Sequence, residues 1–197
     1  THQSFLLLQI HFHLYCTTMR PAPPTLQPCR VCVIGAGPGG SFFLHHLEER
    51  RRKWTAEGNQ EELARLPLVT CFEKANQHGG NWRGDCVRND SLWTNGPKEN
   101  LELFDYTFAD HFGSDTKLPV FLPRSSVLDY LTARVTRNTP DLYERYVQFN
   151  TQVSHVAYDA TSETFAVRTT NLETGIDTEH TFDKCIWAAG EYGAPNM

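Results

Sequence analysis

A run of closely spaced glycines is the part of this sequence best suited to chemistry. It reads Gly35-Ala36-Gly37-Pro38-Gly39-Gly40 and satisfies the pattern G-x-G-x-x-G. In that pattern the first glycine permits a tight turn, the second lets the backbone approach a pyrophosphate, and the third lets a helix pack closely on a strand. A helix that begins here would also offer free N–H groups and the positive end of its dipole to an anion. The loop therefore predicts a dinucleotide site if a strand precedes it and a helix follows.

The segments on both sides of the glycine loop meet that condition. The apolar run within Arg30–Ile34 predicts a buried parallel strand. Residues 39–53 predict a helix with apolar side chains on one face, and residues 55–66 predict a further helical insertion. Leu68 to Glu73 is predicted as the second strand. The order strand, glycine loop, helix and strand supports the dinucleotide interpretation.

Glu73 ends the second predicted strand and is the next candidate for a binding role. An acidic side chain at this position can accept hydrogen bonds from the ribose hydroxyls of a bound adenosine, and it disfavours a 2′-phosphate. Its separation from Gly40 exceeds the usual ~20 residues. The helical insertion accounts for the excess.

The remaining chain predicts an α/β domain that has a parallel sheet and a small β insertion. Residues 75–124 form a long stretch rich in Gly, Pro, Asn and Asp, and loops of this length are usually functional. The predicted elements after it are a helix capped by Ser125 or Ser126 and ending near Arg137, strands Tyr146–His155 and Thr164–Thr170, a turn Asn171–Asp177, and a buried strand Phe182–Ala188.

Composition limits the classes of partner. The net charge of −5 argues against a nucleic-acid-binding domain, which would be basic. No stretch reaches the ~20 apolar residues of a membrane span. Residues 1–28, with four prolines in 20–28, are predicted to be a disordered leader before a domain at 29–197. The six cysteines include one CxxC pair, Cys29 and Cys32, without the second pair that a zinc site needs, so we expect packed thiols, no metal and a cytoplasmic location.

Three further motifs follow in order and carry a resemblance to a known family. Glu73 is followed after five residues by Gly79-Gly80-Asn81-Trp82, then by Thr94-Asn95-Gly96-Pro97, and finally by Ala188-Ala189-Gly190 near the end of the chain. This ordered set resembles the flavin-containing monooxygenases, over roughly residues 29–197. One departure is Ala189, which stands where the family has a threonine.

The resemblance implies a Rossmann-like FAD-binding domain. In that family NADPH reduces FAD, and the reduced flavin captures O2 as a C4a-hydroperoxide that transfers one oxygen atom to a soft nucleophile such as an amine nitrogen or a sulfide. It implies that Asn95 lies beside the flavin ring as the one near-catalytic residue. The cofactor-binding residues it implies are Gly35, Ala36, Gly37, Pro38, Gly39, Gly40, Glu73, Gly80, Asn81, Trp82, Thr94, Asn95, Val153, Ala189 and Gly190.

Family members continue with a second glycine-rich unit for NADPH, whereas this sequence stops seven residues after Gly190. The resemblance therefore implies an FAD domain that is incomplete at its C-terminus and lacks the NADPH-binding domain. We expect little or no NADPH-dependent turnover from this chain alone.

Several alternatives remain open at the level of sequence. The chain can belong to another flavoprotein with two dinucleotide sites, such as a Baeyer–Villiger-type oxygenase or an oxidase, or it can be a truncated FAD-fold chain without activity. Asn95 can instead shape a turn before Gly96-Pro97. His45 and His46 are expected to be partly exposed side chains of the first helix rather than catalysts.

Overall fold

The computed structural model describes residues 28–83 and 92–190. All but the last residue of the predicted leader, residues 1–28, lies outside these ranges. In chain order the elements are β1 (Arg30–Ile34), α1 (Pro38–Ala56), α2 (Gln60–Ala64), β2 (Leu68–Phe72), α3 (Phe108–Phe112), α4 (Arg124–Thr136), α5 (Leu142–Tyr146), β3 (Val147–Gln148), β4 (Thr151–Asp159), β5 (Thr164–Asn171), β6 (Asp177–Phe182) and β7 (Lys184–Trp187), with short 3₁₀ helices at Gly80–Trp82 and Lys98–Asn100.

Two sheets form the framework. Four parallel strands lie in the order β3-β2-β1-β7, and β4, β5 and β6 form a separate antiparallel sheet. The mixed α/β architecture, with a parallel sheet and a small β insertion, is therefore confirmed. The insertion has three strands because Asp177–Phe182 extends the predicted pair.

The parallel sheet is covered on both faces, which explains why its inner strand β1 is apolar from Val31 to Ile34. Val33 and its neighbours on one face pack with Leu44 of α1, Val135 of α4 and Leu142 of α5. On the other face, Cys32, Ile34 and Phe72 pack against Val167 and Phe182 of the antiparallel sheet. This arrangement fixes β1 between two cores, so the loop after β1 has a rigid base.

The predicted strand Tyr146–His155 is wrong as a single element. It divides into β3, which extends the parallel sheet, and β4, which begins the antiparallel sheet. The break falls at Asn150, whose backbone has φ +52°. An asparagine tolerates this left-handed conformation, and alternation of side chains does not reveal that the chain changes sheets.

The predicted buried strand Phe182–Ala188 also divides, at Asp183. The Asp183 carboxylate accepts a hydrogen bond from the Arg30 N–H at 2.6 Å, and its own N–H donates to the Arg30 carbonyl at 2.9 Å. Beyond this point β7 lies at an edge of the sheet formed by the described strands, and Trp187 is 70% exposed. The expectation of full burial is therefore wrong for β7.

Helix boundaries follow local chemistry. Pro38 occupies the first turn of α1, where its missing N–H costs nothing. The predicted serine cap of α4 is wrong, since Pro123 precedes the helix as N-cap and no side-chain cap is present. Asn59 caps α2, its side chain accepting from the Glu62 N–H at 3.2 Å.

His45 is buried, not partly exposed, with Nδ1 3.2 Å from the Val135 carbonyl.

The long segment before α4 is held by specific contacts. Asp105 forms two 3.0 Å hydrogen bonds with the guanidinium of Arg134, which is buried in α4. The Tyr130 hydroxyl accepts from the Leu103 N–H at 2.9 Å and donates to the Tyr106 carbonyl. Because these bonds join residues 103–106 to a buried helix face, this part of the loop has a defined conformation.

The described ranges contain neither a membrane-spanning helix nor a cluster of metal-ligating side chains. None of their helices combines the length and apolar character needed to cross a membrane. No three His, Cys, Asp or Glu side chains in those ranges come together as a potential metal site. Cys32 and Cys71 are fully buried, as expected for packed thiols.

Candidate functional site

Two glycines of the loop are required by the packing of the protein itself. Gly35 has φ +100°, and a β-carbon there would lie 2.7 Å from the Ala188 carbonyl oxygen. A β-carbon on Gly40 would lie 2.0 Å from the Gly35 carbonyl oxygen. These contacts are the tight turn and the close helix–strand approach that the motif predicts.

The packing of the protein does not require a glycine at residue 37. Its φ of −71° suits any residue, and the nearest atom to an added β-carbon is the Gly80 Cα at 3.7 Å. Its N–H has no acceptor among the described residues, and α1 begins without a side-chain cap. Gly37 is buried, and its unpaired N–H at the uncapped first turn of α1 fits the pyrophosphate of a dinucleotide.

Glu73 lies directly against this loop. It is 8% exposed, and its two carboxylate oxygens accept hydrogen bonds from the N–H groups of Ala36 at 2.7 Å and Ala75 at 2.9 Å. Each oxygen retains a further lone pair. Glu73 therefore fixes the end of β2 to the glycine loop, a role that its position in the sequence did not reveal.

The Gly79-Gly80 turn packs onto the same loop. The Gly79 N–H donates to the Ala36 carbonyl at 3.0 Å, and a β-carbon on Gly80 would lie 3.1 Å from the Gly37 Cα. Gly79 has φ +120°, with Leu128 2.7 Å from the position of an added β-carbon. The two glycine motifs therefore form one structure.

The end of β7 and the start of β4 complete this edge of the sheet. The Ala188 N–H donates to the Ile34 carbonyl at 2.9 Å, and the Thr151 N–H donates to the Glu73 carbonyl at 2.9 Å. Ala189 and Gly190 follow β7 and are exposed. Val153 lies two residues into β4, where it packs against the core cluster that includes Phe72. The carboxyl edge of a parallel sheet is where such folds bind ligands.

The residues predicted to lie beside the flavin are connected less directly to the glycine loop. Trp82 is half-buried against the aromatic cluster of Phe108 and Tyr130, and Asn81 is exposed. The Thr94 hydroxyl donates to the Gly96 carbonyl at 2.8 Å and accepts from the Leu122 N–H at 3.1 Å. Asn95 is exposed, and no hydrogen bond in the described part of the chain joins it to the glycine loop. Its place beside a flavin stays a prediction.

Three polar residues that the motifs do not include lie beneath the loop. The Ser41 hydroxyl donates to the Ala36 carbonyl at 3.2 Å, and the Tyr143 hydroxyl donates to Ser41 at 3.1 Å. The ring of His78 stacks on Tyr143 with centroids 3.8 Å apart. Ser41 and His78 stand next to the two glycine motifs in sequence, which is the signal that could have indicated them.

Burial lowers the pKa of His78 to about 4, and the nearby positive charge of Arg83 adds to the shift. A histidine in the unfolded chain has a pKa of about 6.5. Between these values the unfolded chain binds a proton that the folded chain does not, so His78 makes folding less favourable as pH falls from about 6.5 to about 4.

We therefore expect His78→Phe, which keeps an aromatic ring against Tyr143, to reduce the loss of stability in acid. Urea unfolding at pH 7 and pH 4.5 measures the free energy of unfolding of both proteins. The fall between the two pH values should be smaller in the variant. Equal falls would show that His78 does not contribute to the acid sensitivity.

Comparisons with known proteins agree with this geometry. A family model described as FAD-NAD(P)-binding matches residues 32–192. The trimethylamine monooxygenase of Roseovarius nubinhibens is 35% identical over 181 residues, covering 85% of this chain and 37% of that protein. Flavin-containing monooxygenase 3 of Homo sapiens is 27% identical, covering 85% of this chain and 29% of that protein. The chain thus spans about 37% of the length of the first of these relatives.

Solved structures of monooxygenases also match most of this chain and a minor part of their own length. A crystal structure of Tmm from Pelagibacter sp. strain HTCC7211 matches with a TM-score of 0.67 and 32% identity, covering 85% of this chain and 38% of that one. Cyclohexanone monooxygenase from Rhodococcus sp. Phi1, bound to NADP+, matches with a TM-score of 0.55 and 22% identity, covering 87% and 28%. The second match shows the fold alone.

Proposed function

The chain belongs to the FAD-NAD(P)-binding family, and from this premise we propose that it is the FAD-binding portion of an NADPH-dependent monooxygenase. One observation carries the assignment of the ligand site. Gly37 is a glycine that the protein's own packing does not require, and it stands at the start of a helix with unpaired amides. A site that must admit a pyrophosphate against the backbone explains this choice of residue.

Each part of the site has a role in this proposal. The amides of Gly37, Gly39 and Gly40 bind the pyrophosphate, and the Glu73 carboxylate accepts hydrogen bonds from the adenosine ribose. Ala36 and Pro38 complete the loop, while Val153, Ala189 and Gly190 border the nucleotide. The flavin end is assigned to Gly80, Asn81, Trp82, Thr94 and Asn95.

Bound FAD would supply the redox chemistry, accepting hydride from NADPH and activating O2. The residues of this chain bind the cofactor, orient it and exclude water from it. The relatives named as trimethylamine monooxygenases support a small substrate with an amine nitrogen, and a sulfide is the second nucleophile that the family resemblance implies. Baeyer–Villiger-type enzymes share the fold, but their low identity carries no assignment of substrate.

The proposal predicts that Gly37→Ala weakens FAD binding without unfolding the chain. A β-carbon at residue 37 meets only ordinary contacts within the protein, yet it stands where the pyrophosphate must approach the backbone. We expect the Kd for FAD to rise at least tenfold, and the thermal midpoint to stay within about 2 °C. Quenching of flavin fluorescence on titration measures the Kd.

The control is Gly58→Ala, which is far from the loop and has nothing within 4 Å of the added carbon. Its φ of +65° strains an alanine by about 1–2 kcal/mol, so this variant loses stability without touching the proposed site. This variant should bind FAD as the parent chain does. If Gly37→Ala binds FAD as tightly as Gly58→Ala, the loop does not contact the pyrophosphate and the proposed site is wrong.

A further inference from the structure

Hydrogen bonds hold both peptide groups of Ala36, the one that precedes it and the one that joins it to Gly37. The Ala36 N–H donates to Glu73 at 2.7 Å. Its carbonyl accepts from the Gly79 N–H at 3.0 Å and from the Ser41 hydroxyl at 3.2 Å. Both lone pairs of this carbonyl are therefore used, and they are used by donors on the side of the loop facing the protein.

The orientation of this carbonyl determines the orientation of the Gly37 N–H. The two groups belong to one planar trans peptide, so they point in opposite directions. A carbonyl directed at Ser41 and Gly79 thus turns the Gly37 N–H away from them, and this N–H has no acceptor among the described residues. The donors to the Ala36 carbonyl set the direction of an amide proposed to bind the ligand.

One of those donors is itself held by α5. The Tyr143 hydroxyl donates to Ser41 at 3.1 Å, which leaves the Ser41 hydrogen directed at the Ala36 carbonyl. Tyr143 is 7% exposed, and its ring is stacked on His78, whose Nε2 lies 3.1 Å from the Thr132 hydroxyl. The phenol therefore occupies one position, and successive hydrogen bonds in such a chain strengthen one another.

We propose that Tyr143 is a positioning residue for FAD binding, which acts through Ser41 to orient the Ala36–Gly37 peptide toward the pyrophosphate. This inference rests on the proposed function for the identity of the ligand. No motif in the sequence includes Tyr143, which lies more than 100 residues from the loop that it supports. Without its hydroxyl the Ser41 hydrogen bond loses its fixed direction, and the loop must be ordered when the ligand binds.

Tyr143 and the His78 ring stacked on it keep the same protonation over a wide range of pH. Burial raises the pKa of Tyr143 to about 12, so the phenol remains a donor. Burial lowers the pKa of His78 to about 4, so the stacked imidazole is neutral near pH 7. The network therefore brings no charge of its own to the loop.

The test is Tyr143→Phe, with Tyr146→Phe as a matched control on the same helix. The control removes the same hydroxyl from a residue whose partner is Glu48, not the loop. We expect the Kd for FAD to rise about five- to tenfold in Tyr143→Phe, the effect of one neutral hydrogen bond. Tyr146→Phe should change it less than twofold. Adding Tyr143→Phe to Ser41→Ala should cause no further loss of FAD affinity, because both changes break the same chain of hydrogen bonds to the Ala36 carbonyl.

Amide hydrogen exchange in the ligand-free protein provides a readout that does not depend on FAD. The Gly79 N–H, which shares the Ala36 carbonyl with Ser41, should exchange faster in Tyr143→Phe than in Tyr146→Phe. Equal exchange in the two variants, or equal FAD affinities, would overturn the inference. Failure of the unmodified chain to bind FAD would contradict the proposed function instead, and the exchange rates alone would then decide the role of Tyr143.

Discussion

Replacement of Gly40 by alanine is expected to destabilise the domain more than any other substitution in the glycine loop. The added carbon would lie 2.0 Å from the Gly35 carbonyl oxygen and 3.1 Å from its carbonyl carbon. Both are backbone atoms of the turn that closes β1, so no side-chain rotation can make room. Overpacking of this severity costs about 3 kcal/mol or more, a large part of the 5–15 kcal/mol that stabilises a typical domain.

Thermal unfolding measures this effect, and a fall in midpoint of about 10 °C or loss of the cooperative transition is expected. The adjacent Gly39→Ala is the control. Gly39 is exposed, lies in the first turn of α1, and has only the Ala188 Cβ at 3.9 Å from an added carbon. Its substitution should leave the midpoint unchanged or slightly raised. Similar midpoints for the two variants would contradict the packing described here.

The second large effect is expected for Glu73→Gln. The buried carboxylate accepts one backbone N–H on each oxygen, from Ala36 and Ala75. Glutamine has a single oxygen, so its amide NH2 would face one of these donors. Hydrogen bonds to charged groups contribute about 1.5–3 kcal/mol each, and an unsatisfied buried donor adds a penalty. We therefore expect a loss of about 2–3 kcal/mol in the free energy of unfolding.

The same change should weaken FAD binding more than tenfold, because Glu73 both holds the loop and is assigned to the ribose. Urea unfolding and FAD titration measure the two effects. Glu57→Gln, at the exposed C-terminal end of α1, is the control and should change stability by less than about 0.5 kcal/mol. A Glu73→Gln protein that is as stable as this control would show that the carboxylate does not hold the loop.

The parts of the fold that sequence predicts well are those set by local chemistry. The strand Arg30–Ile34, the glycine turn and the helix after it each need particular residue types at adjacent positions, and all three lie where expected. Helix α2 lies inside the expected insertion at residues 55–66. Spacing and side-chain type were sufficient here because neighbours in sequence decide the conformation.

The errors arise where distant segments decide the outcome. Alternation along Tyr146–His155 is the same whether the strand stays in one sheet or changes sheets at Asn150. The apolar run ending at Trp187 resembles a central strand, although β7 lies at an edge of the described sheet. The contact of Tyr143 with Ser41 joins two helices that the sequence does not show to be neighbours.

The candidate site also combines residues that local sequence predicts with contacts that distant segments decide. Residue type alone predicts a binding role for the glycine loop, Glu73 and the Gly79-Gly80 turn. The structure brings the three together. The sequence did not show that Glu73 binds the backbone of the loop. That requires the side chain of one strand end to face the N–H of another, which only the sheet order provides.

FAD binding at the glycine loop is tested most directly by ¹H–¹⁵N spectra recorded while FAD is added to the labelled chain. We expect the largest shifts at the amides of Gly37, Gly39, Gly40 and Ala75, with little change in the β5–β6 turn. The first three amides would bind the pyrophosphate, and the Ala75 N–H donates to the Glu73 carboxylate. Binding with shifts elsewhere and none at the glycine loop, or no binding at millimolar FAD, would contradict this expectation.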